Sequence, residues 1–73
     1  MKSIWVYYCP SQYPSYDKKL DEVATKYGGK QTGGGLGFNM RDQSFNIPDE
    51  CVDDFCNEIE GWEFIMSIEV KDY

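Results

Sequence analysis

Seventy-three residues, 41% apolar, 16% aromatic and 27% charged, carry a net charge of −6 and no histidine. They describe a single domain over residues 1–73, too hydrophobic for disorder and too small to build a second core. The missing imidazole removes the commonest general base, the Ser-His and Cys-His nucleophile pairs and most catalytic zinc sites, so a non-catalytic protein without metal or cofactor is expected. No apolar run approaches the roughly 18 residues of a membrane span. Met1-Lys2 leads into a strand-like run that ends at Pro10, not into the apolar centre of a signal peptide. A cytoplasmic protein with no membrane partner is therefore expected.

Charge is unevenly divided. Residues 1–41 hold six basic groups against three acids, whereas residues 42–73 hold ten acids against Lys71 alone. Affinity for nucleic acid comes largely from neutralising phosphates with Lys and Arg, so the C-terminal half should repel free DNA and RNA and attract a basic protein surface. Cys9, Cys51 and Cys56 are an odd number of cysteines. On a helix Cys51 and Cys56 would lie about 140° apart around the axis, so reduced thiols are expected, with Cys56 a structural residue of the core.

In chain order, residues 3–9 alternate Ile4, Val6 and Tyr8 with Trp5, Tyr7 and Cys9. Both faces are apolar, which predicts a central strand stopped by Pro10. Residues 10–14 form a turn-rich connection. From Ser15, a candidate N-cap, the residues Tyr16, Leu20, Val23, Ala24 and Tyr27 keep helical spacing up to Gly28-Gly29. The outer face of that helix, with Asp17, Lys18, Lys19, Asp21, Glu22 and Lys26, reads as ordinary solvated surface. Residues 30–47 contain Gly33, Gly34, Gly35 and Gly37, with Leu36, Phe38 and Met40 alternating, and predict a hairpin whose first arm is bent by glycine. Residues 48–61 form an acidic helix, and residues 64–70 alternate Phe64, Met66, Ile68 and Val70 with Ile65, Ser67 and Glu69 as a final strand.

The resulting order, strand-helix-strand-strand-helix-strand, predicts an α+β fold of the ferredoxin-like βαββαβ type, with two helices on one face of a four-stranded antiparallel sheet. The opposite face is then open. Trp5 and Tyr7 would stand on it beside Ile65, as a partner or dimer surface.

The acidic helix holds the strongest functional signal. Val52, Phe55, Cys56 and Ile59 recur at i, i+3, i+4 and i+7, one face of a 3.6-residue repeat. Pro48 suits the first turn, and Gly61 suits a left-handed stop. Glu50, Asp54 and Glu58 form one row of acids, Asp49 and Asp53 a second, with Glu60 near the C-terminal end. Like charges at this spacing cost about 0.2–0.5 kcal/mol per pair. Local stability does not account for such a face, and Asp49, Glu50, Asp53, Asp54, Glu58 and Glu60 are therefore the candidate partner-binding residues.

Other chemistries fit less well. The run Gly33-Gly34-Gly35-Leu36-Gly37 lacks the Gly-Lys-Ser/Thr ending of a phosphate loop and precedes no helix. Cys9-Pro10-Ser11-Gln12 is similar to the thioredoxin-type Cys-Pro-x-Cys over two residues only, with Gln12 where the second thiol would stand. The acids around residue 50 have neither the central glycine nor the spacing of an EF-hand loop.

The layout resembles the small acidic accessory proteins of bacteriophages and mobile elements, together with Tyr27-Gly28-Gly29-Lys30 and with Gly37-Phe38 followed by Arg41-Asp42. Some of those proteins inhibit host defence systems, CRISPR complexes (the anti-CRISPR type) and restriction enzymes among them, by occupying nucleic-acid sites. The resemblance implies an inhibitory binder that mimics nucleic acid and acts on a basic complex in the host cytoplasm. The alternative is an oligomeric or small-ligand module of the ACT-like type that uses Trp5 and Tyr7 to form a homodimer.

Overall fold

The computed structural model describes residues 1–12, 15–36, 40–63 and 65–72. Tyr13, Pro14, Gly37, Phe38, Asn39, Phe64 and Tyr73 lie outside the described residues, and so do the Leu36-Phe38-Met40 alternation and the opening of the last strand at Phe64. The chain runs β1 (Lys2–Tyr8), α1 (Ser15–Lys26), β2 (Lys30–Leu36), β3 (Arg41–Ile47), α2 (Val52–Glu60) and β4 (Ile65–Asp72). Single 3-10 turns, Pro10–Gln12 and Asp49–Cys51, precede the two helices. The strands form one antiparallel sheet in the order β2-β3-β1-β4.

The central position of β1 follows from its alternation. Ile4, Val6 and Tyr8 are fully buried, while Trp5 and Tyr7 are half-buried on the other side. Phe45 pairs with Ile4 and Gln43 with Val6, so β3 adds Gln43, Phe45 and Ile47 to the same face. Against it α1 lays Tyr16, Leu20, Val23 and Ala24, and α2 lays Val52, Phe55 and Ile59. The Phe45 and Phe55 rings meet at 5.8 Å, and Tyr16 bridges Tyr8 (5.7 Å) and Trp62 (5.3 Å).

A polar chain closes one end of this core. Gln43 Nε2 donates to the Tyr8 hydroxyl at 2.8 Å, and Tyr8 donates in turn to Asp17 Oδ1. Arg41 clasps the same carboxylate through Nε (3.2 Å) and Nη2 (2.7 Å). Asp17 is therefore no ordinary surface residue. It sits half-buried in the first turn of α1, where the helix dipole favours an anion, and ties that helix to β1 and β3.

Three local expectations are corrected by the backbone. Gly61 has φ −85°, so α2 ends on right-handed backbone, with the Trp62 N–H bonded to the Ile59 carbonyl at 3.0 Å. The left-handed stop belongs to α1. Gly28 has φ +77°, its N–H bonds the Thr25 carbonyl at 3.0 Å, and the Gly29 N–H bonds the Ala24 carbonyl at 2.7 Å, the paired bonds of a Schellman motif. Pro48 stands before the helix in extended conformation (φ −53°, ψ 139°), and its carbonyl accepts the Cys51 N–H that opens the 3-10 turn.

The third correction is in β4. A register shift leaves Tyr7 opposite Ser67 but Tyr8 opposite Ile65. Ile65 consequently packs on the helix-side core instead of beside Trp5 and Tyr7, and Met66 is left 58% exposed.

These glycines should differ in substitution. A Cβ on Gly29 would collide with Ile47 Cδ1 and come within 2.7 Å of the Asn46 carbonyl oxygen, whereas one on Gly61 meets nothing within 4 Å. In chemical denaturation, Gly29→Ala should cost about 1–3 kcal/mol through overpacking. Gly28→Ala should cost about 1–2 kcal/mol for its left-handed backbone. Gly61→Ala should be neutral, or stabilising by about 0.4–1 kcal/mol.

Candidate functional site on the acidic helix

Because Val52, Phe55 and Ile59 must face the sheet, the repeat turns Asp53, Asp54, Asn57 and Glu60 to solvent, with Glu50 exposed in the turn before them. Among the described residues Glu50, Asp53, Asp54 and Glu60 form no ion pair and no side-chain hydrogen bond. The two other nominated carboxylates are engaged within the chain. Asp49 Oδ1 lies 3.0 Å from the Met1 ammonium group. Glu58 Oε1 accepts from Lys26 Nζ at 2.8 Å and from the Tyr27 hydroxyl at 2.7 Å.

Glu58 is thus part of the seam between α1 and α2. Its bonds from Lys26 and Tyr27 hold its carboxyl below the usual range, and the same bonds push the Lys26 ammonium and the Tyr27 phenol above theirs. Neither bond was legible in sequence, since Lys26 and Tyr27 stand 32 and 31 residues away. The outward surface that remains is Glu50, Asp53, Asp54 and Glu60, with Asp49 at its margin. On the flank away from the seam, burial and the carboxylates of Asp53 and Glu60 push the half-buried Cys56 thiol up.

The open sheet face has a different character. The strand registers place Gly33, Ser44, Trp5 and Glu69 in one row, and Gly35, Asp42, Tyr7 and Ser67 in the next. Trp5 and Tyr7 are brought together there as expected, but their neighbours are small or charged. Lys71 Nζ lies 5.1 Å from the Trp5 ring centroid. Partial burial, then the charges of Glu69 and Asp42, raise the Tyr7 phenol above its ordinary value.

All three cysteines are free thiols. Cys9 Sγ lies 3.0 Å from the Ser11 hydroxyl, and hydrogen bonding from Ser11 lowers its pKa. Among the described residues, no three His, Cys, Asp or Glu side chains are grouped to hold a metal ion, and no helix is long and apolar enough to cross a membrane. No protein-family model matches the chain, and no curated protein is found to resemble it.

Two measurements check these assignments. Tyr27→Phe removes one donor from Glu58, so carboxyl NMR should show the Glu58 titration midpoint moving up toward the ordinary glutamate value. The pH dependence has a definite sign at each end. The lowered Glu58 pKa gives a contribution that is present above the usual glutamate range and lost as pH falls through the lowered value. The raised Tyr27 pKa gives one that is complete below the usual tyrosine range and lost as pH rises through the raised value. Separately, iodoacetamide mapping at neutral pH should label Cys9 before Cys56, because the one thiol's pKa is lowered by hydrogen bonding from Ser11 while the other's is raised by burial and the neighbouring carboxylates.

Proposed function

We propose that this chain is a non-catalytic binding protein of ferredoxin-like build that engages a basic protein surface through Glu50, Asp53, Asp54 and Glu60. The strand order β2-β3-β1-β4, with each helix between two strands that are not neighbours in the sheet, supports the ferredoxin-like assignment. One observation carries the functional reading: the seam engages Glu58 and the N-terminal ammonium group engages Asp49, while among the described residues no cation pairs with Glu50, Asp53, Asp54 or Glu60, on a helix and preceding turn that have no basic residue. Asp53, Asp54 and Glu60 on α2 and Glu50 in the turn before it place like charge on one outward surface, which Lys and Arg can meet as they meet a phosphate backbone. The partner class is a protein that otherwise handles nucleic acid, a host defence complex included, and the consequence of binding is inhibition.

The alternative, an oligomeric or small-ligand module of ACT-like type, draws less support. Trp5 and Tyr7 share the open face with Asp42, Ser44, Ser67 and Glu69, and such a surface is not the contiguous apolar patch that marks a buried contact.

The test is charge reversal on residues that do not serve the seam. Glu50→Lys with Asp54→Lys should leave circular dichroism unchanged and lower capture of basic nucleic-acid-handling proteins from a host lysate by at least about tenfold, or 1.4 kcal/mol. Capture by the parent should fade as salt rises from about 0.05 M to about 0.5 M, where screening is strong. A folded double variant that captures as well as the parent would falsify the reading.

A further inference from the structure

We infer that the free edge of β4 receives an extended, positively charged segment of the partner as a fifth strand, under the acidic flank of α2. This deepens the proposal of a basic partner and rests on it. β4 pairs with β1 on one side only, and such an edge offers a row of unpaired N–H and C=O groups to another strand. Its helix-side residues are incompletely covered: Val70 is 46% and Met66 58% exposed, and Ile68 is half-buried.

What lies above that strip is set by the seam. Glu58 turns one flank of α2 toward α1, while α2 itself packs on β4. The other flank, with Asp53, Cys56 and Glu60, therefore lies on the β4 side. Both carboxylates lie close enough to Cys56 to raise its thiol. An apolar strip overhung by carboxylates matches Lys and Arg, whose methylene stems can cover Val70 and Met66 while their charged heads reach Asp53 and Glu60. Alternate residues of an extended strand supply such side chains on one face.

Charge selects this occupant over a second copy of the chain. A two-fold axis along the β4 edge would set the Asp53 and Glu60 flank against its own image, and among the described residues no cation pairs with either carboxylate. The opposite edge of the sheet is a poorer docking site, because Gly33, Gly34 and Gly35 give the middle of β2 no side chains to set a register.

The probe is a synthetic peptide of alternating lysine and valine, titrated into the full chain and followed by amide NMR and hydrogen exchange. Saturable shifts over residues 65–72, with slowed exchange at alternate β4 amides, are expected. Val70→Lys and Met66→Lys, folded by circular dichroism, should each weaken binding by at least about tenfold. Asp53→Asn with Glu60→Gln should weaken it and flatten its salt dependence. Shifts confined to Glu50, Asp53 and Asp54, with β4 exchange unchanged, would overturn the edge inference while the acidic-face reading stands. So would failure of the peptide to bind while basic proteins are still captured. Concentration-dependent shifts in β4 without peptide would overturn it in favour of a second copy, and loss of both peptide binding and capture would remove both proposals.

Discussion

Burial of Val52, Phe55 and Ile59 against the sheet is the constraint on which the rest of the molecule depends. Each is nearly or fully removed from water, and full burial of such a side chain contributes about 1.5–3 kcal/mol. Like charges three or four residues apart cost only about 0.2–0.5 kcal/mol per pair. The apolar face wins by a wide margin, so α2 remains a helix with carboxylates along its outer side. Phe55 is the centre of that contact through its ring pair with Phe45, and the Glu58 seam fixes how the helix is rotated about its own axis.

Much of the chain's positive charge that pairs with an acid serves internal contacts. Arg41 holds Asp17, Lys26 holds Glu58, the N-terminal ammonium holds Asp49, and Lys71 lies beside Trp5 and Glu69. All but the Lys71–Glu69 pair join parts of the chain that are distant in sequence, and among the described residues no cation pairs with the outward carboxylates of α2. A field of one sign over one surface repels a second copy and accelerates encounter with a cationic partner.

The legible features were those that depend on local repeats. Alternation identified β1 as central with Ile4, Val6 and Tyr8 inward, and helical spacing found both helices and the apolar face of the second. Interactions that join remote positions were not legible. Asp17 and Arg41 stand 24 residues apart, and nothing near either one indicates that the acid is clasped in place of being solvated. Glu58 belonged by spacing to an exposed row, and only the packing of α1 beside it draws it into the seam. The bulge in β4 defeated the alternation rule outright, since one irregular step brings Ile65 to the helix side. Glycine identity likewise did not reveal which glycine takes the left-handed conformation. That role went to Gly28, where α1 must reverse within two residues to enter β2.

The bulge has a consequence for where recognition can occur. With Ile65 drawn to the helix side, the open face keeps Trp5 and Tyr7 as its central aromatics, each in a row of small or charged residues. Isolated aromatics of this kind are ordinary surface, whereas contiguous apolar area marks contact. The same irregularity leaves Met66 exposed on the β4 edge, two turns of the pleat from Val70, on the side where Asp53 and Glu60 project. Apolar area, unpaired backbone and uncompensated charge therefore meet along one border of the domain, between α2 and β4, and under the docking we propose each of the three is satisfied by a different part of the same extended basic chain.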